Sequence, residues 1–375
     1  MVALVLSMVW RHISSVTALT KMMITEGLLW AEPRKVSQQA LSERFRTFPS
    51  ILFLRVLLAV LPLMETRWRS RQRPLPAEIA WAQERYTEVV VHDGSTLDAL
   101  LRKVGLLRDT DTNPLAGCMA AVLDLCSHLP RHIWYEEDAQ AHDQRFWPRI
   151  LEVLKAGSLL IFDLGFTNFG VYAQLTAATI AFITRAKSNL AYEVERVVRR
   201  TAQVHEMLVW IGKGDDRQVV RLLEVLYQGK WYRYLTNELD TDRLPAPYVV
   251  ALYWQRWRIE DAYNIVKRLL GLAYFWVGSQ NGVELQVWAT WLLYAVLVDL
   301  TDAIAERLNK PFAAISVEMV YRSIYYFAQA YHRGDAEDPV VYLADNATWL
   351  GVLKRERKHR PSPLVLFDLT NSSEP

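Results

Sequence analysis

Cysteine is nearly absent from this sequence of 375 residues: it occurs only at positions 118 and 126, both in an apolar stretch. Neither a disulfide framework nor a cysteine-rich zinc site can be built from that pair, and a reducing compartment is expected. The histidines show no metal-ligand spacing, and no glycine-rich phosphate loop is present, which argues against zinc hydrolysis and nucleoside triphosphate use. Internal repeats and low-complexity tracts are also missing. The apolar opening Met1–Val9 has no positive n-region and meets Arg11 and His12 too early for a signal peptide. Trp288–Ile304 is long and apolar, but Asp299 and Asp302 interrupt it, so it reads as a buried helix rather than a membrane span. A cytoplasmic protein with no membrane partner is the expectation.

Net charge is only +2, so nothing global marks a polyanion binder, whereas 51% hydrophobic and 22% charged residues describe a globular chain. Fourteen tryptophans suit core packing, and the same rings could stack on nucleic-acid bases, with Trp210 and Trp231 as candidates. The basic residues cluster locally. Arg67, Arg69, Arg71 and Arg73 fall on alternate positions, and Lys354-Arg-Glu-Arg-Lys-His-Arg360 forms a second cluster. Each reads either as a solvated surface run or as a set of backbone-phosphate contacts.

Changes of hydrophobic period divide the chain. Residues 1–86 read as a helical domain: Ser37 caps a helix through Arg46, Pro49 breaks it, and Ser50 caps an apolar helix to about Leu61. Such a pair suits a small DNA-binding bundle and equally any small helical domain. Residues 87–188 give a mixed α/β core. A β-branched run from Val89 ends at Asp93, strands are expected at Met119–Leu125 and His132–Tyr135, and a helix at Gln144–Lys155. Leu159–Phe162 then ends at Asp163, and Ile180–Thr184 is followed by Arg185 and Lys187. Residues 189–243 read as a β-rich insertion. Helices return over 244–330, with Tyr248–Leu270 and Val283–Leu308 each expected as one long helix, and 331–375 reads as a basic, loop-like tail.

The helix after Pro245 carries Tyr253, Arg256, Glu260 and Lys267, which at about 100° per residue share an arc of roughly 60°. A solvated face with an Arg–Glu pair gives such a stripe. So does a functional face, and two upstream strands each ending in an aspartate favour the latter. Asp93, Asp163 and Glu260 then form a set of three carboxylates suited to hard divalent cations in phosphodiester chemistry.

The spacing Tyr-x2-Arg-x3-Glu-x6-Lys resembles the YREK signature of DDE transposases of the insertion-sequence-four type, and all four positions match. Asp163-Leu-Gly-Phe resembles the group's second-aspartate motif, with Leu164 where Arg is common. Phe182–Lys187 resembles the strand that follows, and Leu235-Thr-Asn237 the approach to the signature. The resemblance spans about Val89–Leu270. It implies a ribonuclease-H-like core interrupted by a β-rich insertion, with Asp93, Asp163 and Glu260 as catalytic residues binding two Mg²⁺, for which Mn²⁺ could substitute. It further implies that Tyr253, Arg256 and Lys267, with Arg185 and Lys187, contact DNA. The partners implied are transposon ends and target DNA, with a homodimer in the synaptic complex. A catalytically inactive DNA-binding relic and a structure-selective nuclease remain as alternatives.

Overall fold

The computed structural model describes residues 1–97, 117–138, 143–273, 275–277, 279–355 and 364. Its centre is a nine-stranded mixed sheet with helices on both faces. Strands β1 (Val89–Thr96), β2 (Cys118–Asp124), β3 (Pro130–Glu136), β4 (Leu159–Phe162) and β5 (Ala181–Arg185) are joined by β6 (Glu193–Arg200), β7 (Val204–Ile211), β8 (Gln218–Tyr227) and β9 (Lys230–Thr236). The order is β3-β2-β1-β4-β5-β9-β8-β7-β6; β1, β4 and β5 run parallel, and every other neighbouring pair is antiparallel. The β-rich stretch between 189 and 243 therefore continues the central sheet, through Arg185 paired with Tyr234, instead of forming a sheet of its own.

The strands are nearly continuous apolar runs because both faces are covered. Val89, Val91, Leu159 and Ile161 face one layer, and Val90, Leu160 and Phe162 the other. The second layer is built on α6 (Trp147–Val153) and α7 (Phe169–Ala177). The first contains α8 (Ala246–Trp254), α9 (Trp257–Asn264) and α10 (Gln280–Arg307), together with the N-terminal helices. Those are α1 (Val2–Trp10), α2 (Val16–Thr25), α3 (Gln38–Thr47), α4 (Ile51–Ser70) and α5 (Ala77–Gln83), and α1, α3 and α4 pack directly on α10. By length and composition α10 could cross a membrane; 67% of its most apolar window is buried inside this fold. The end of α10, α11 (Val317–Arg333) and α12 (Pro339–Asp345) enclose a separate small core.

Several local expectations change. Ser37 caps α3 by accepting from the Ala40 amide, whereas Ser50 makes no cap and donates its hydroxyl to Glu284 at 2.9 Å. Helix α4 passes Pro62 and ends at Ser70, because Phe53, Leu57 and Met64 gain more in the core than one missing ladder bond costs. The single helix expected over Tyr248–Leu270 is three pieces: α8, α9 and a π turn at Ile265–Leu269. At the junction the amides of Gln255 and Arg256 bond back only three residues, to Leu252 and Tyr253. Beyond Tyr331 the chain is not all loop, since α12 follows and Leu353 pairs with Ile315.

Candidate active site

Parallel pairing sets the first two carboxylates side by side. The β1–β4 ladder ends at His92 opposite Phe162, so Asp93 and Asp163 are the next residues on adjacent strands, about 4.8 Å apart in strand spacing. Asp93 lies within β1 rather than at its end. The strand continues to Thr96 because Asp93 through Thr96 pair antiparallel with Ala121 through Cys118 after β4 has stopped. Glu260 comes from α9, which crosses β1.

Arg256 joins all three acids. Its Nη1 is 3.0 Å from Asp93 Oδ2, its Nη2 is 2.8 Å from Glu260 Oε1, and its Nε is 3.8 Å from Asp163 Oδ1. The guanidinium is buried, so its charge is less screened than that of a surface pair, and it balances carboxylates that would otherwise repel one another. Tyr253 donates its hydroxyl to Asp163 Oδ1 at 3.0 Å, and the Gly94 amide donates to Asp93 Oδ1 at 2.8 Å. Burial pushes the Asp93 carboxyl up to about 6; Arg256 and the Gly94 amide oppose the rise, while the charges of Asp163 and Glu260 add to it. The Tyr253 phenol is raised by burial and by the neighbouring Asp163 charge, so it stays a neutral donor.

Lys267 reaches the same strand, but not the carboxylates. Its Nζ donates to the Thr96 carbonyl at 2.6 Å and to Ser95 Oγ, tying down the end of β1, and burial lowers its pKa against the pull of Asp93. Arg185 stands over the rings of Tyr232 and Tyr234 at 5.3 and 5.9 Å, and Tyr234 meets Tyr253 edge-on at 5.3 Å, so Arg185 borders the site. Lys187 is exposed beyond the end of β5 and is not brought to the acids. Its carbonyl accepts from Arg233.

The sequence reading missed Tyr263, whose hydroxyl donates to the Asp93 carbonyl at 2.7 Å. Its position three residues after Glu260 and seven after Arg256 is the signal that could have found it, since such spacing shares one helical face. It also missed His92, buried beneath Asp93 with Nδ1 3.0 Å from the Ala121 carbonyl and its ring against Phe166.

The alternate arginines are occupied internally. Arg67 and Arg71 pair with Asp299 at 2.5 and 2.9 Å, Arg71 and Arg73 with Asp302, and Arg69 with Glu65. Arg67, Arg71 and Arg73 therefore clamp the end of α4 to α10, while Arg69 pairs within α4. Trp231 stacks on His205 at 4.6 Å and is 43% exposed, while Trp210 lies beneath Arg217 at 4.7 Å.

The donor chemistry suits a hard divalent cation, because the converging groups are all carboxylate oxygens gathered around one positive charge. Among the described residues no three acid, histidine or cysteine side chains are grouped closely enough to hold an ion together, and in this arrangement Arg256 supplies the balancing charge.

Comparison with known proteins bears on this geometry. Residues 116–296 match a family model described as "Transposase DDE domain", a stretch from β2 into α10 that includes Asp163 and Glu260 but not Asp93. The chain is also 30% identical over 203 residues to "Putative transposase y4zB" of Sinorhizobium fredii (strain NBRC 101917 / NGR234). That alignment covers 51% of this chain and 54% of the relative, so the chain spans about half the length of the curated protein it matches.

Proposed function

We propose that this chain is a DDE transposase of the insertion-sequence-four type, which binds the ends of its own element, cuts them and joins the freed 3′-hydroxyls to target DNA. The observation that carries this reading is the meeting of Asp93, Asp163 and Glu260 around Arg256, at the ends of two adjacent parallel strands. The run of three antiparallel strands followed by two parallel ones, β3-β2-β1-β4-β5, supports a ribonuclease-H-like core.

Asp93, Asp163 and Glu260 would hold two Mg²⁺, or Mn²⁺ in their place, which supply a lowered pKa for the attacking oxygen and charge neutralisation at the leaving one. Everything else is work for the chain itself. Tyr263 and Lys267 fix the end of β1 and so aim Asp93. Arg256 offers a two-pronged donor that suits a phosphate as well as a carboxylate, Tyr253 a neutral donor, and Lys267 a third N–H beyond the two already used. With Arg185 and Lys187 they grip the backbone of the bound end. A water attacks the end phosphodiester and loses a proton, and the 3′-oxygen leaves with one. That 3′-hydroxyl then attacks a target phosphodiester, and the target's own 3′-oxygen departs. Two copies, one on each end, bring both reactions to a single target.

Incubating the full chain with Mg²⁺, a plasmid target and a labelled duplex carrying the terminal repeat that flanks the gene tests this directly. Joined product is expected. Cut but unjoined DNA would make the protein a nuclease, and bound but uncut DNA would make it a binding relic.

A further inference from the structure

Strand β6 is the outer edge of the sheet and is exposed along nearly its whole length. A regular strand turns alternate side chains to opposite faces, yet the β6–β7 register breaks twice. Val194 pairs with Val209 but Arg196 with Leu208, and Val197 pairs with Met207 but Arg199 with Glu206. Glu195 and Val198 are thus extra residues in two bulges. The bulges lengthen the period from two to three, so Glu193, Arg196 and Arg199 share one face.

Following the register inward identifies that face. Arg199 pairs with Glu206, Glu206 with Leu223, Leu223 with Tyr234, and Tyr234 with Arg185. Extended by two residues beyond Ile183 and Ile161, the same row reaches Asp163 and then Asp93. Arg199 therefore stands on the row of the two aspartates and on their side of the sheet. Five strand spacings separate β4 from β6, about 24 Å. The middle of the row is buried under helices, but the end of the sheet beyond it carries exposed Lys187, with exposed Trp231 on the opposite face, stacked on His205. Arg200, paired with His205, points to the opposite face at the same end of the edge strand, so that cations stand on both sides of it, and neither Arg196 nor Arg200 has a hydrogen-bond or ion-pair partner among the described residues.

Resting on the transposase reading, we infer that the bulged outer strand is a second DNA contact: Arg196, Arg199 and Arg200 hold the phosphate backbone of a duplex that runs from the carboxylates along the rim of the sheet. As a backbone-phosphate contact it would be sequence-independent. A span of about 24 Å corresponds to roughly seven base pairs at 3.4 Å each. Pairing of β6 with a second copy of the chain is disfavoured by the bulges and the charged side chains, both of which blunt an edge.

The test uses the full chain and mixed-sequence duplexes, so it needs no knowledge of the end sequence. For R196Q/R199Q/R200Q, affinity for a duplex of about 30 base pairs should become less salt-dependent, the log–log slope falling by roughly 1.8 to 2.7 for two to three lost contacts. R196K/R199K/R200K should retain the wild-type slope. An unchanged slope for the glutamine variant, or a shift in its oligomeric state with DNA affinity intact, would overturn the inference. Wild-type protein that binds mixed-sequence duplexes with the expected slope but never cuts or joins the duplex carrying the terminal repeat would instead overturn the transposase reading while leaving this surface standing.

Discussion

Two arginine-rich segments of this chain meet opposite fates. At the end of α4, Arg67, Arg71 and Arg73 are bound to Asp299 and Asp302 of α10, more than 220 residues away, and Arg73 is almost wholly enclosed. On β6, Arg196 and Arg200 lie exposed without a hydrogen-bond or ion-pair partner among the described residues. What separates them is the acid inventory of the facing element: α10 offers the buried Asp302 and the partly buried Asp299, while the strand beside β6 has its own acid, Glu206, facing the buried Arg221. Cationic density in sequence therefore does not say where a polyanion will bind. Arg256 combines both situations, being paired with acids yet placed where the proposed reaction would bring a phosphate.

That contrast can be broken most forcefully at Asp302. Removing it as Asp302→Ala leaves Arg73 buried without its acid and Arg71 without one of its partners, and should destabilise the fold by roughly 3–5 kcal/mol, read by denaturant unfolding. The Arg196→Gln change should stay within about 0.5 kcal/mol. Similar costs for the two would mean that the α4 clamp is no more than a surface pair. A smaller effect belongs to Tyr263→Phe, which deletes the hydroxyl on the Asp93 carbonyl and should cost about 1 kcal/mol. Because Asp93 is then less well aimed, the rate of end cutting should also fall while end-DNA affinity holds. Loss of stability with an undiminished cutting rate would reduce Tyr263 to a packing residue.

Much of the core was legible because it obeys local rules. Strands β2 to β5 lie close to where apolar and β-branched runs bounded by turn residues put them, and Asp163 followed from the end of one such run. What escaped depends on distant pairing. Gly94 and Ser95 are weak strand formers, and the strand continues through them to Thr96 by pairing with β2 and by the Lys267 contacts. Helix α7 follows Asn168, whose side chain caps it, but its apolar face gave no clear period. The break at Gln255 has no proline or glycine to announce it, and it occurs where Arg256 turns into the acids. Likewise the two bulges in β6 are visible only against β7.

Of the three candidate carboxylates, Asp93 lies outside the stretch that matches the transposase DDE domain, so it is the one on which the site stands by geometry alone. The most direct test is single-turnover cutting of labelled end DNA by Asp93→Asn in Mg²⁺, with end-DNA affinity measured on the same preparation. An amide is a poor ligand for a hard cation, and losing several kcal/mol of charge stabilisation should slow cutting on the order of 10³-fold or more with binding retained. Cutting at the wild-type rate would contradict the three-carboxylate site.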